Sequence, residues 1–253
     1  MFLNTTPHFG VIASINPVHS SKVAAAWPHI DLATSCEIRL DRMEEDDLTR
    51  FIYGYLPSLF SNKPMILTLR PSVQGGSRII SPEDQWKFWN SLPDSVRLVI
   101  KNPLSNVFVD WAVDLVQYVC DKGYDTPFPW TKIGISDHKL EMTPDDVRSA
   151  VKALQEFPAS AFIKFVCKAI VKSDVRRMAN LYSNYDDTRP LIAFPMGELG
   201  KQERFKCIKR GSWGTYGFIP SLSPTAPGQV SIFELLWNKG VIMDLKLRGL
   251  VDW

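Results

Sequence analysis

The sequence predicts an α/β fold in a single domain, a (β/α)8 TIM barrel. Two observations carry this. Short apolar, β-branched runs alternate along the chain with longer amphipathic stretches. Several of the runs are almost continuously apolar, as strands covered on both faces of a parallel sheet are. A third observation removes the main competitor: no G-x-G-x-x-G follows the first apolar run, so a doubly wound dinucleotide-binding sheet has no support. The length of 253 residues suits one barrel, and no linker, low-complexity stretch or charge block divides the chain.

The strands are expected at residues 10–15, 36–40, 65–69, 107–111, 132–135, 162–166, 191–194 and 214–218. Helices are expected at 20–27, 45–56, 82–92, 112–120, 144–157, 173–182 and 230–237. Ser81-Pro82-Glu83-Asp84 and Thr143-Pro144-Asp145-Asp146 each offer an N-cap, a first-turn proline and first-turn acids, and Ser173-Asp174 offers the same without proline. Residues 239–253 follow the last helix and carry Leu245, Leu247, Leu250, Val251 and Trp253. They read either as an extra packing helix or as the start of a connection to a second domain.

Bulk properties exclude several function classes. The formal charge is +2, from 29 basic and 27 acidic residues, which leaves no electrostatic footprint for nucleic acid or an anionic membrane. No window approaches the roughly 18 to 20 apolar residues of a membrane span. The first residues lack a secretory signal, so a cytoplasmic protein is expected. Cys36, Cys120, Cys167 and Cys207 are scattered, with no C-x-x-C pair and no zinc-like spacing to histidine, so free thiols and no metal site are expected.

In such a barrel the chemistry gathers at the C-terminal ends of the strands. Glu37, Arg39 and Asp41 alternate along the second strand and share one face. Arg70 ends the third strand, and Ser136-Asp137-His138 ends the fifth. Lys164 interrupts the apolar sixth strand. Met196 and, one loop later, Arg204 follow the seventh, and Thr225-Ala226-Pro227-Gly228-Gln229 follows the eighth. A strand lysine between Phe and Val either snorkels to water or points inward. Turned inward, burial favours the neutral amine and can bring it to about 7–8, which a Schiff-base nucleophile needs. His138 reads either as a loop residue or as a general acid/base beside that amine; the other three histidines, His8, His19 and His29, lie far from these strand ends. Glu37, Arg39 and Arg70 can form a structural ion network, and Arg70 or Arg204 can grip a carboxylate.

Taken in order, Glu37-Ile38-Arg39-Leu40-Asp41, Leu67-Thr68-Leu69-Arg70 with Gln74-Gly75-Gly76, Ser136-Asp137-His138 with Thr143-Pro144, Ile163-Lys164, Met196-Gly197 with Arg204, and Thr225-Ala226-Pro227-Gly228-Gln229 resemble the type I 3-dehydroquinate dehydratases of the shikimate pathway. The resemblance implies a hydro-lyase that acts on 3-dehydroquinate without metal or cofactor, as a homodimer. By position it implies that Lys164 condenses with the C3 ketone and that His138 moves the protons. It makes Glu37, Arg39 and Arg70 hold substrate hydroxyls and shape the pocket, and Arg204 clamp the carboxylate. Thr225 and Gln229 close over the substrate, Met196 supports the site, and Asp110 orients His138.

Two departures stand out. Gln74 occupies a place where the family commonly has glutamate, so it cannot raise the pKa of His138 by charge. Glu141, three residues after His138, is a candidate replacement for that charge. These departures keep a second reading open, a non-catalytic barrel that binds a cyclic polyol acid. A third, a sugar-phosphate aldolase, lacks a glycine-rich phosphate cradle near the last two strands. A shikimate dehydrogenase domain beyond Trp253 is neither implied nor excluded.

Overall fold

The computed structural model describes residues 7–17, 19–60, 63–247 and 249. Its sheet comprises β1 (Gly10–Ile15), β2 (Ser35–Arg39), β3 (Met65–Thr68), β4 (Val107–Ala112), β5 (Ile133–Lys139), β6 (Phe162–Lys168), β7 (Leu191–Met196), β8 (Gly214–Phe218) and a two-residue β9 (Val230–Ser231). Each of β1 to β6 pairs in parallel with its successor, and β8 pairs in parallel with β1. The strand order therefore runs from β7 through β1 to β8 and β9. At the remaining seam the amide of Trp213, just before β8, donates to the carbonyl of Leu191 at 2.8 Å. The sheet thus curls into a (β/α)8 barrel whose β7–β8 junction has no ladder among the described residues.

The apolar runs locate β1 to β8, but β4, β5, β6 and β7 continue past them, and β9 lies where a helix was expected to begin. On β5 the ladder extends through Ser136, Asp137 and His138 to Lys139, paired in register with Lys164 to Cys167 of β6. Backbone pairing is indifferent to side-chain polarity, so Ser136, Asp137 and His138 sit on the ladder rather than in a loop.

Helices cover the outside. The expected helix at 45–56 is Glu45–Arg50, continued by a π-helical turn Phe51–Tyr55 and by Leu56–Leu59. Asp94–Lys101 is an additional helix that buries only Val96 and Ile100. Ser81 caps its helix as expected, accepting from the Asp84 amide at 3.1 Å. Thr143 does not cap. The helix Val147–Gln155 begins later, with the Asp146 carboxylate accepting from the amides of Arg148 and Ser149. Thr143 instead donates its hydroxyl to the carbonyl of Lys168 at 2.8 Å, fastening the loop after β5 to the end of β6. Ser173 is also not a cap; the Asp174 carboxylate accepts from the amides of Ile170 and Val171, and the helix starts at Lys172. In the tail a helix spans Lys239–Leu247, with Val241 and Leu245 buried; residues 248 and 250–253 lie outside the described residues. No helix among the described residues is long and apolar enough to cross a membrane, and Cys36, Cys120, Cys167 and Cys207 are free thiols.

The lumen is layered. At its base the rings of Phe9, Phe108 and Phe162 meet edge to face, at 5.6 and 5.3 Å. Gly134 makes room for this plug, since a Cβ there would lie 2.1 Å from the ring of Phe162. Two residues further along the strands the layer turns polar: Ser14, Glu37, Thr68, Asp110, Ser136 and Lys164 are all buried. The apolar plug seals this polar layer from the N-terminal end, so the layer opens only at the C-terminal mouth. Gly134→Ala has to displace an aromatic ring that has nowhere to move. We expect it to cost about 1–3 kcal/mol of stability, read as a lower urea midpoint with an unchanged m-value.

Candidate active site

Lys164 points into the lumen. Its Nζ donates to Oδ2 of Asp110 on β4 at 3.0 Å and to Oε1 of Glu37 on β2 at 3.3 Å. Neither contact joins neighbouring strands, so both run through the barrel. The aromatic face of Tyr216 on β8 lies 4.2 Å from the same nitrogen. The sequence left open whether this amine snorkels to water or points inward among apolar groups. The lysine is inward and buried, but it is ion-paired with two carboxylates and held against a π face.

Those carboxylates are themselves fixed. Glu37 accepts from the hydroxyls of Ser14 at 2.8 Å and Thr68 at 3.0 Å. Asp110 accepts from Arg70, whose other terminal nitrogen donates to Ser136. Burial pushes the Asp110 carboxyl upward, but Arg70 and Lys164 outweigh it and hold the group well below the usual carboxylate range. Arg70 was expected to shape the substrate pocket. It lies instead behind the wall, with both terminal nitrogens engaged, and serves the network. Arg39 does reach the cavity. It is forked onto Asp41 at 2.8 and 2.9 Å, and Asp41 also accepts from the amides of Arg70 and Ser77.

His138 lies one strand from Lys164 and shares its cavity. Its Nδ1 is 3.1 Å from the carbonyl oxygen of Gln74. A carbonyl only accepts, so Nδ1 carries the hydrogen and Nε2 holds the lone pair. That Nε2 is buried and has no partner. Burial, with the nearby charges of Arg70 and Lys164, pushes the imidazole well below its usual range, so the ring is neutral at pH 7. The amide hydrogen that orients the ring strand comes from His138 itself: its backbone N–H donates to Oε1 of Gln74 at 2.7 Å. The side chain at position 74 therefore holds the strand and not the ring. Asp110, expected to orient His138, makes no hydrogen bond to it and instead bridges Arg70 and Lys164. Glu141 is exposed and supplies no partner to the imidazole.

Arg204 closes the far wall from the turn Glu198–Phe205. Its Nε donates to the carbonyl of Gly228 at 3.1 Å and its Nη1 to that of Tyr216 at 3.3 Å, while the guanidinium lies 4.7 Å from the ring of Phe194. Nη2 is buried and unpartnered. Burial draws the guanidinium down to about 10, and no carboxylate offsets this. A buried cation with one free donor and no counter-ion is a site for an anion. Thr225 and Gln229 belong to the loop that roofs the cavity. Gln229 Oε1 accepts from the amide of Thr225 at 2.6 Å and from its hydroxyl at 3.0 Å, and Thr225 Oγ1 lies 3.2 Å from Ser14 Oγ. The loop rests backbone to backbone on the end of β7. Gly228 has φ +67° and a Cβ there would lie 2.2 Å from the carbonyl oxygen of Gly197.

Together these groups enclose a cavity of about 220 Å³. It contains Glu37, Arg39, His138, Lys164, Met196, Arg204, Thr225 and Gln229 of the expected set, and leaves Arg70, Gln74 and Asp110 in its support. Sequence reasoning missed Tyr216, Phe194, Lys168 and Ser14. For Ser14 the signal was present, a polar residue in an apolar strand, as for Lys164. Tyr216 and Phe194 read as core. The arrangement is suited to chemistry on a ketone that carries a carboxylate: a buried amine, a neutral imidazole with a free lone pair, an anion-seeking guanidinium, and no cluster of metal-ligating residues among the described residues.

Comparison with known proteins agrees. The model of the family described as type I 3-dehydroquinase matches residues 17–237. The chain is 30% identical over 226 residues to the chloroplastic bifunctional 3-dehydroquinate dehydratase/shikimate dehydrogenase of Arabidopsis thaliana, covering 85% of this chain and 34% of that protein. It thus spans about a third of that relative. It is 26% identical over 186 residues to a 3-dehydroquinate dehydratase of Dehalococcoides mccartyi, covering 69% of this chain and 74% of the relative. In fold it is similar to the 3-dehydroquinate dehydratase of Geobacillus kaustophilus, with a TM-score of 0.73 at 18% identity, over 96% of this chain and 92% of that one. It is also similar to the type I enzyme of Clostridium difficile solved with covalent modified comenic acid, with a TM-score of 0.69 at 20% identity over 95% and 94%. A family match over residues 17–237, most of the chain, makes this chain a member of the type I 3-dehydroquinase family of hydro-lyases.

Proposed function

We propose that the chain dehydrates 3-dehydroquinate to 3-dehydroshikimate through a Schiff base on Lys164, with His138 as general base and then general acid. One observation carries the reading: the amine of Lys164 and the free Nε2 of His138 share a single cavity with an unneutralised guanidinium. Arg204 takes the substrate carboxylate and Arg39 faces its hydroxyls. Once Lys164 gives up a proton to its ion-pair network, its lone pair adds to the C3 carbonyl carbon. The carbonyl electrons move to oxygen, which leaves as water and yields a protonated imine.

The imine is the electron sink. Nε2 of His138 takes a proton from C2, and the C–H electrons run to nitrogen as an enamine. The enamine electrons return and expel the C1 hydroxyl, which takes the proton back from the imidazolium. Water then hydrolyses the product imine and frees Lys164. Glu37 and Asp110, already placed around Nζ, stabilise the cationic imine without reorganisation. The depressed basicity of His138 keeps it neutral for the first proton transfer and makes its conjugate acid a ready donor for the second.

Lys164→Ala is expected to lower kcat by about 10⁴-fold or more, and borohydride added with 3-dehydroquinate to trap an adduct on Lys164 in the wild-type protein. Full turnover by Lys164→Ala, followed by the ultraviolet absorbance of the conjugated product, rejects the mechanism. Saturable binding without any product in the wild type favours the non-catalytic barrel.

Arg204→Gln is expected to raise KM about 100-fold with a smaller change in kcat, the signature of a lost charge-assisted contact to the carboxylate.

The pH dependence has a definite sign. The unfolded imidazole titrates near 6.5 and the folded one well below it. As pH falls through that window the unfolded chain binds a proton that the folded chain does not, so stability declines. His138→Gln is expected to flatten this decline in urea midpoints measured between about pH 5 and 7. The acid limb of wild-type kcat/KM is expected below 6.5.

A further inference from the structure

Tyr216 holds the least explained polar atom of the cavity. It sits in the middle of β8, two residues after Gly214, on the lumen face of its strand, and the residue is only 4% exposed. Its ring lies under the amine of Lys164, and its hydroxyl is buried with no hydrogen-bond partner. A phenylalanine would offer the same aromatic face without an unsatisfied hydroxyl, which by itself destabilises a folded chain. Burial, with Glu37 and Asp110 nearby, drives the phenol well above its usual range, so it stays a neutral O–H donor across the working range of pH.

We propose that the Tyr216 hydroxyl is a further catalytic residue, donating a hydrogen bond to the oxygen on the substrate carbon that bonds to Lys164 Nζ. This rests on the Schiff-base reading. The group accepting this bond is first the ketone oxygen and then the carbinolamine hydroxyl. As the C–N bond forms, the carbonyl π electrons collect on that oxygen, and a donor fixed beforehand stabilises them there. The phenol keeps its proton throughout. The proton that makes the oxygen a hydroxyl, and then water, comes from the Lys164 network, and C–O cleavage leaves the cationic imine. In hydrolysis the sequence reverses, with the same hydroxyl holding the entering water. The cation–π contact of the resting state and this hydrogen bond thus come from one side chain: its face serves the charged nitrogen and its edge the neighbouring oxygen.

The test is Tyr216→Phe, which keeps the ring and removes one atom. With 3-dehydroquinate and borohydride, adduct formation is expected to slow about 10- to 100-fold, the range for losing one hydrogen bond at a buried site, and kcat/KM to fall alongside it. The melting temperature is expected to hold or rise, because an unsatisfied buried hydroxyl has been deleted. Trapping and kcat/KM both within twofold of wild type overturn the proposal and leave the Schiff-base reading intact. A fall in melting temperature with lost activity also overturns it, since the hydroxyl is then structural. Absence of turnover and of adduct in the wild type defeats the underlying reading instead.

Discussion

The structure depends on a charge network that spans the barrel lumen: Lys164 between Asp110 and Glu37, with Arg70 behind Asp110. Isolated, each of these groups would cost several kcal/mol to bury. Together they neutralise one another, and the hydroxyls of Ser14, Thr68 and Ser136 occupy further carboxylate and guanidinium positions. The barrel supplies the geometry that makes this affordable. Inward side chains from β2, β3, β4, β5 and β6 meet at one level, and the aromatic plug beneath excludes water from below. The same network fixes Nζ in place, so the amine is positioned by electrostatics from several strands rather than by its own flexible stem.

Arg204 is governed by the opposite condition. Where Lys164 is surrounded by carboxylates, Arg204 has only backbone carbonyls and an aromatic face. Lys164 and Arg204 therefore give the cavity one buried cation whose charge is met and one whose charge is not. His138 completes the asymmetry, since its hydrogen is committed to Gln74 and its lone pair is left for the cavity.

Much of this was legible in the sequence, for identifiable reasons. Apolar runs gave all eight strands because both faces of a parallel barrel strand are covered. They ended too early on β5, since Ser136, Asp137 and His138 look like a loop while the ladder on β6 keeps them in the sheet. The helix at 94–101 escaped because only Val96 and Ile100 anchor it, too few for a clear period. Thr143 misled because Thr-Pro-Asp-Asp allows two caps, and Asp146 offers the better geometry. Parity along the second strand put Glu37, Arg39 and Asp41 on one face; Glu37 and Arg39 share the cavity, whereas the strand ends at Arg39 and Asp41 falls in the turn Leu40–Arg42. Distances across the lumen were beyond reach. Pairing of Lys164 with residues 127 and 54 positions away, the withdrawal of Arg70 behind the wall, and the use of the Gln74 carbonyl to hold the His138 ring all follow from barrel curvature, which a linear pattern does not encode.

The seam between β7 and β8 gives the cylinder one slit. Elsewhere main-chain ladders hold neighbouring staves together, but here Trp213 stitches the lower end, and near the mouth Arg204 leans on Phe194 from one lip while gripping the Tyr216 carbonyl on the other. The clasp that draws this slit together is thus the same guanidinium whose Nη2 is left without a partner. By linkage, any anion that binds this clasp in the folded chain also stabilises the closed cylinder against unfolding.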